Sequence, residues 1–225
     1  MLYHIEPMPP KVPAEDLALL VRAETATIGH FHHMGFLDRT IQALTPGKPV
    51  VGTAVTLALP GADSTVLHHA LSLVRPGDIL IIDRLGDDRH ACWGGGVTIA
   101  AKAAGLSAAI IDGPCTDAHE ILAEDFPLFA RGVAPITTRI LGSGGALNVP
   151  VSCGGAAVLP GDAVLADANG VLVLRPAEVE AAAREAIRRQ KRGAERQGQI
   201  RSGQRKIGEL SGATEKVLAG LKAQI

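Results

Sequence analysis

The sequence AGLSAAIIDGPCTD, residues 104–117, places a short apolar strand directly before an acidic turn. The run SAAIID is bounded by Gly105 and by Gly113-Pro114, which is typical of a buried strand between breakers. Asp117 therefore follows the carboxyl end of a strand, where ligands bind in α/β proteins. This position suits a metal ligand or a catalytic acid. The alternative is a turn in which Asp117 caps the next helix, and one residue can do both.

Strand and helix patterns alternate on both sides of this stretch. Apolar periodicity and turn residues predict strands at 49–59, 79–83 and 107–112, and helices at 14–24, 35–44, 63–74, 97–104 and 117–124. The β-α-β-α-β order predicts parallel strands covered by helices. Between residues 149 and 174, short runs alternate with turns and predict antiparallel strands. We therefore expect an α/β fold with a layered mixed sheet in one domain, residues 1–176, followed by a basic helical extension, residues 177–225.

The composition limits the class of protein. The chain has 225 residues, 47% hydrophobic and 20% charged, with a formal net charge of −1, which fits one globular domain and excludes wholesale disorder. Aromatic residues make up 3% of the chain, which disfavours base stacking and nucleic acid as a partner. Three scattered cysteines form no disulfide framework. Without a signal-like or membrane-spanning run, we expect a cytoplasmic protein with no membrane association.

Several motifs have a simpler explanation than chemistry. The glycine-rich run 142–145 lacks the Lys-Ser/Thr of a phosphate-binding loop, so a flexible turn is favoured. Cys115 and His119 could form an activated thiolate or two zinc ligands, but an incidental pair is the better interpretation. The histidines at 30, 32 and 33 resemble a metal cluster without a carboxylate, and we interpret them as a polar connector.

The run Trp93-Gly94-Gly95-Gly96-Val97-Thr98 precedes a predicted helix. The unpaired amides at a helix start attract carboxylates, and glycines let an anion approach the backbone closely. The alternative is a loop that only needs glycine dihedral angles.

These motifs together resemble the RraA-like family, which contains 4-hydroxy-4-methyl-2-oxoglutarate aldolases, oxaloacetate decarboxylases and regulators of ribonuclease activity. The resemblance runs from about Gly52 to Leu174. Its motifs occur in the order GTAVTL, Asp63 with His68, PGDILIID, WGGG, AGLSAAIIDG, FPLFARG, NVPVSCGG and PGDAVLADANGVLVL. The resemblance implies the family's swivelling β/β/α domain and assembly as a homotrimer or a dimer of trimers.

The resemblance also implies an active site. Asp117 matches the family's Mg²⁺-holding aspartate, and Mn²⁺ is another candidate cation. The backbone of Gly94, Gly95, Gly96 and Val97 matches the carboxylate-binding turn, although the family's usual acidic residue is Gly95 here. Thr116 stands where the family has a substrate-binding arginine. A threonine hydroxyl offers one hydrogen bond but neither charge nor a bidentate fork.

The implied reaction is metal-dependent cleavage of a C–C bond in a small 2-oxo acid, by retro-aldol reaction or by decarboxylation of oxaloacetate, through a pyruvate enolate. The alternatives are a non-catalytic regulator that binds protein partners and a diverged paralogue with altered chemistry, because Thr116 replaces the arginine.

Two further expectations concern groups that complete the site. We expect one of Arg84, Arg89 or His90 to replace the missing arginine as a second catalytic group, with Arg89 favoured for its reach. In the family's aldolases a glutamate from the C-terminal region of a neighbouring subunit approaches the metal, and Glu195 is the candidate here.

Overall fold

The computed structural model describes residues 2–45, 47 and 49–223. Its strands are β1 (Tyr3–Ile5), β2 (Gln42–Ala43), β3 (Val50–Ala58), β4 (Asp78–Asp83), β5 (Ala108–Ile111), β6 (Leu128–Ala130), β7 (Gly145–Leu147), β8 (Val151–Cys153), β9 (Ala156–Val158), β10 (Ala163–Asp167) and β11 (Gly170–Leu174). Its helices are α1 (Ala14–Leu20), α2 (Thr25–Ile28), α3 (Thr65–Ala70), α4 (Gly95–Ala103), α5 (Ala118–Ala123), α6 (Pro176–Arg201), α7 (Ile207–Leu210) and α8 (Ala213–Lys222).

The centre of the main sheet is parallel. Strands β3, β4, β5 and β6 pair side by side in the same direction, so their carboxyl ends share one edge. On the other side of β3, strands β10 and β7 run antiparallel to it, and β11 pairs antiparallel with β10. The mixed sheet, the parallel centre and the antiparallel late strands confirm the predicted fold class.

Three hydrophobic clusters hold the layers together. Helices α3 to α5 cover one face of the sheet around Trp93, whose ring stacks on Phe126 with centroids 5.8 Å apart. The β8–β9 hairpin covers the opposite face. Helices α1 and α6 pack on β10 and β11 in the third cluster. Burying these apolar side chains removes them from water, which is the main force that stabilises the fold.

The predicted helix over residues 35–44 is wrong. Gly35 has a φ of +79°, and a side chain there would overlap the Val173 carbonyl. Asp38 then accepts hydrogen bonds from the backbone and hydroxyl of Thr40, forming a tight turn. Residues 42–43 instead form β2 against β6. Local side-chain bonds and edge pairing therefore override the weak helical periodicity.

Three helices follow residue 175, and the first of them, α6, begins on the body of the protein. Its buried residues, Val179, Ala182, Ala183 and Ala186, all lie in the first three turns. The rest of α6 is largely exposed. Within the described residues, no helix is both long and apolar enough to cross a membrane.

Candidate active site

Asp117 is held in an uncommon backbone conformation at the start of α5. Its φ and ψ are 53° and 42°, the left-handed region that aspartate tolerates better than most residues. Its carboxylate does not cap its own helix within the described structure. Instead, Oδ2 accepts a hydrogen bond of 3.0 Å from the Gly95 amide at the start of α4. The Asp117 turn and the glycine turn therefore meet.

The glycines at this contact leave room for two carboxylates. A Cβ atom on Gly94 would overlap the Asp117 carboxylate, and one on Gly95 would overlap the Glu120 carboxylate. Glu120 lies one helical turn after Asp117, so the two side chains share a face of α5. The sequence analysis missed Glu120. The spacing of three residues from Asp117 was the signal that could have identified it.

The first turn of α4 is held in place by Trp93 and Thr98. The buried indole Nε1 donates to the Thr98 hydroxyl at 2.9 Å, and that hydroxyl lies 2.9 Å from the Gly94 carbonyl oxygen. The Thr98 amide also donates to the Gly94 carbonyl, which is the first helical bond. The amides of Gly96 and Val97 come before this first helical bond, so the helix itself offers them no carbonyl partner. The turn therefore presents backbone N–H groups and the positive end of the helix dipole beside Asp117.

Thr116 lies between the two turns. Its amide donates to the Trp93 carbonyl at 2.8 Å, and its hydroxyl is 3.4 Å from Asp117 Oδ1. The side chain is partly exposed and therefore accessible to a ligand at this point. It supplies one neutral donor at the position where the implied family pattern has a cation.

Asp87 organises the loop that follows β4. This loop carries Arg84, Arg89 and His90, the three candidates to replace the family's arginine. Arg84 is fully buried, and its Nη2 donates to the carbonyls of Gly61 and His90 and lies 3.3 Å from Asp87. His90 Nδ1 lies 2.8 Å from Asp87, and the Arg89 amide donates to Asp87 at 2.9 Å. Burial would raise the pKa of Asp87, but the bonds from Arg89 and His90 outweigh it and lower the pKa.

The three candidates consequently face different surroundings. The Arg89 side chain is exposed, whereas the Arg84 guanidinium is enclosed. Arg84 Nε and Nη1 have no hydrogen-bond partner among the described residues. The stem of Arg84 packs against Gly113, where a Cβ atom would overlap it. Arg84 thus lies beneath the loop rather than at its surface.

The remaining sequence candidates do not form a second chemical site. Burial raises the pKa of the Cys115 thiol to about 11, so the thiol stays protonated at neutral pH and is not a ready nucleophile. No group of three metal-binding side chains occurs among the described residues, the histidines at 30, 32 and 33 included. The glycine run 142–145 is a turn whose neighbouring amides are already engaged.

Asp63 accepts hydrogen bonds from the Leu141 and Ser143 amides, while the Gly142 amide donates to the Thr65 hydroxyl. In all, the Asp63 carboxylate accepts bonds from the backbone of Thr65, Leu141 and Ser143 and from two hydroxyls. Burial alone would raise the pKa of Asp63, but these bonds outweigh it and hold the pKa well below its usual range. Asp63 thereby anchors residues 131–143, an extended segment that we call the strap. The strap also bonds to the backbone of Ala91 and Cys115, so it crosses the loops that follow β3, β4 and β5.

Comparison with known proteins identifies relatives of this chain. The family model described as "RraA-like: Aldolase/RraA" matches residues 23–173. The chain belongs to the RraA-like family. A Halalkalibacterium halodurans protein named "Putative 4-hydroxy-4-methyl-2-oxoglutarate aldolase" is 34% identical over 154 residues, covering 68% of this chain and 73% of that protein. A protein of Shewanella oneidensis with the same name is 31% identical over 111 residues, covering 49% of this chain and 67% of that protein.

The solved structures give the same family and fold. Streptomyces coelicolor RraAS2, described as "an unusual member of the RNase ES inhibitor RraA protein family", has a TM-score of 0.74 and 27% identity. The match covers 85% of this chain and 98% of that one. The RNA-processing inhibitor RraA from Thermus thermophilis has a TM-score of 0.62 and 25% identity, covering 68% and 93% of the two chains. RraA-like proteins thus include members named as aldolases and members named as inhibitors.

Proposed function

We propose that this RraA-like protein is a divalent-metal-dependent lyase that cleaves a C–C bond in a small 2-oxo acid. The observation that carries the proposal is the 3.0 Å bond between Asp117 and the Gly95 amide, because it joins a metal-binding type of side chain to an anion-binding helix start. The names of the aldolase relatives support the same reaction class.

The residues present fit a hard cation. Asp117 is exposed, and among the residues that the structure describes its Oδ1 has only a long contact with Thr116. The Glu120 carboxylate lies beside Gly95. Mg²⁺ in proteins is typically held by only one or two carboxylates, and water and substrate oxygens complete its coordination shell. Mn²⁺ suits the same ligands. We assign the cation to Asp117, with Glu120 as its neighbour. Bound there, the cation would act as a Lewis acid toward the negative charge that develops on the substrate oxygen.

The turn of Gly94, Gly95, Gly96 and Val97 would hold the substrate carboxylate, chiefly through the Gly96 and Val97 amides, because the Gly95 amide already donates to Asp117. The Thr116 hydroxyl would donate one hydrogen bond to the same carboxylate. Cleavage of the C–C bond leaves its electron pair on the carbon next to the 2-oxo group, giving the enolate of pyruvate, which a proton converts to pyruvate. Retro-aldol cleavage and oxaloacetate decarboxylation share this product. Arg89, exposed on the loop before the glycine turn, is the proposed second positive group.

Pyruvate release over a panel of 4-hydroxy-2-oxo acids and oxaloacetate, with and without Mg²⁺, tests the proposal. Asp117→Asn keeps the shape of the side chain but removes its charge, and we expect it to lower kcat/KM by at least about 10²-fold. Asp125→Asn, an exposed acid that follows the end of α5, is the matched control and should leave the rate unchanged. Turnover that survives both Asp117→Asn and chelation would refute the lyase assignment.

A second candidate function is non-catalytic regulation through protein partners. The inhibitor RraA proteins among the structural relatives favour it, as do the exposed apolar side chains of the strap, Val133, Ile136, Ile140 and Leu141. Such a regulator needs neither Asp117 nor a metal. Partner binding that survives Asp117→Asn, in a protein inactive on every 2-oxo acid, would favour this function.

We further propose that the protein is a homo-oligomer, a trimer or a dimer of trimers. The exposed apolar strap supports self-association, and Glu195, exposed on α6, stays the candidate for a group supplied by a neighbour. The cytoplasmic location and the division into residues 1–176 and 177–225 stay predictions.

A further inference from the structure

Two carboxylates from the start of α5 meet the first turn of α4 at Gly95. The Gly95 amide donates to Asp117 Oδ2 at 3.0 Å. A Cβ atom on Gly95 would lie 1.7 Å from Glu120 Oε2 and 2.7 Å from Glu120 Cδ. The Glu120 carboxylate therefore occupies the space that a side chain at position 95 would fill, and both acids lie against the same residue.

The backbone around the two acids is fixed by the core. The Asp117 carbonyl accepts hydrogen bonds from the amides of Glu120 at 2.9 Å and Ile121 at 3.1 Å, which close the first turn of α5. Ile121 is fully buried in the cluster around Trp93. This turn consequently holds Glu120 beside α4, although the Glu120 side chain itself is exposed and open to a ligand.

The Glu120 carboxylate has no cation partner of its own. Glu124, at the end of α5, pairs with Lys102 at 2.8 Å, whereas Glu120 forms no ion pair among the residues that the structure describes. Two carboxylates held against one residue repel each other, and the single N–H of Gly95 is already given to Asp117. A divalent cation bound by both carboxylates would remove this repulsion. Two carboxylates are also the usual protein share of an Mg²⁺ site.

We propose that Glu120 binds the divalent cation together with Asp117, and that Gly95 is the residue that makes room for it. This role of Glu120 rests on the metal proposed at Asp117 and adds a second protein ligand to it. A methyl group at position 95 would push the Glu120 carboxylate out of its place without removing any charge. Asp117 would then hold the cation alone.

Titration of the full-length protein with MgCl₂, followed by calorimetry, tests this role without depending on turnover. Glu120→Gln keeps the shape of the side chain and removes its charge, and we expect it to weaken Mg²⁺ binding at least about tenfold. Gly95→Ala should weaken binding by a similar factor, because the added carbon displaces the Glu120 carboxylate. Glu124→Gln, the same change at the end of the same helix, is the matched control and should bind Mg²⁺ like the original protein.

A double variant distinguishes displacement of Glu120 from general damage to the turn. All three atoms nearest to the added carbon belong to Glu120, and in Glu120→Ala only its Cβ atom, 3.0 Å away, remains. Adding Gly95→Ala to Glu120→Ala should therefore change the affinity by less than about twofold. The proposal is overturned if Gly95→Ala weakens binding equally in both backgrounds, or if Glu120→Gln binds Mg²⁺ as tightly as the original protein. Glu120 is exposed, so Glu120→Gln decides the question even if position 95 tolerates no side chain.

The same titrations separate the role of Glu120 from the lyase proposal. Binding that is lost in Asp117→Asn but unchanged in Glu120→Gln refutes only the second ligand. Mg²⁺ binding that survives Asp117→Asn, or an original protein that binds no Mg²⁺, refutes the metal assignment and the role of Glu120 with it. A protein that loses affinity in both variants but releases no pyruvate from any 2-oxo acid keeps the pair of ligands and refutes the lyase reaction.

Discussion

At the scale of single residues, the site is defined by which side chains are missing as much as by which are present. Gly94 and Gly95 have no side chain where Asp117 and Glu120 place their carboxylates. Thr116 has a hydroxyl where the resemblance implies a guanidinium. The result is a site with two carboxylates beside a helix start that supplies positive potential.

Thr116→Arg should increase turnover. The arginine would add a charged, bidentate donor beside the developing negative charge, and we expect kcat to rise by about 10²-fold. Steady-state pyruvate release at saturating Mg²⁺ measures this change. Thr116→Val, which keeps the shape and removes only the hydroxyl, is the control and should reduce kcat modestly. A Thr116→Arg enzyme no faster than the original would mean that another cation already serves the site.

Asp63→Asn should destabilise the fold by about 1–3 kcal/mol, because a buried acceptor of five hydrogen bonds loses its charge. The folded pKa of Asp63 lies below its unfolded value, so its stabilisation is complete above about pH 4 and declines as pH falls further. Urea unfolding at several pH values should show a gap between original and variant that is constant at pH 5–8 and narrows below pH 4. A gap that widened in acid would contradict this assignment, and the exposed Asp88→Asn serves as the control.

At the scale of elements, the start of α4 and the start of α5 form one unit. Gly94→Ala should therefore weaken Mg²⁺ binding about tenfold or more, because its Cβ atom would displace the Asp117 carboxylate. Gly96→Ala is the matched control, since no atom lies within 4 Å of the added carbon. Isothermal titration with Mg²⁺ compares the two. Equal affinities in both variants would separate Asp117 from the metal.

Helices and strands could be predicted where a buried face gives the apolar residues a regular spacing. They could not be predicted where contacts between distant segments decide the conformation. Strands β3, β4 and β5 matched their predicted positions because continuous apolar runs between breakers have few alternatives. The segment 35–44 was predicted as a helix from a weaker pattern. Its conformation depends on Gly35 against Val173 and on β2 pairing with β6, contacts that are remote in sequence.

At the scale of the whole molecule, α6 passes from buried to exposed along its length. Ala183→Asp should cost more than about 3 kcal/mol, because it places an unpaired charge between α6 and the body. Ala194→Asp, three turns later on the exposed part of the same helix, should change stability by no more than about 0.5 kcal/mol. Thermal unfolding of both variants at low protein concentration measures the contrast. Similar losses in the two variants would mean that the later part of α6 also packs against the body of the protein.

The sequence by itself determined the α/β class and the positions of the central strands, and its ordered motifs indicated the family. The class and the strand positions follow from local periodicity and turn residues, because buried apolar runs between breakers have few alternatives. Only the tertiary structure brought in Glu120, turned Arg84 inward and left Arg89 exposed. Side-chain direction depends on what packs around a loop, and that packing involves segments such as Gly61 and Gly113, which are distant in the chain.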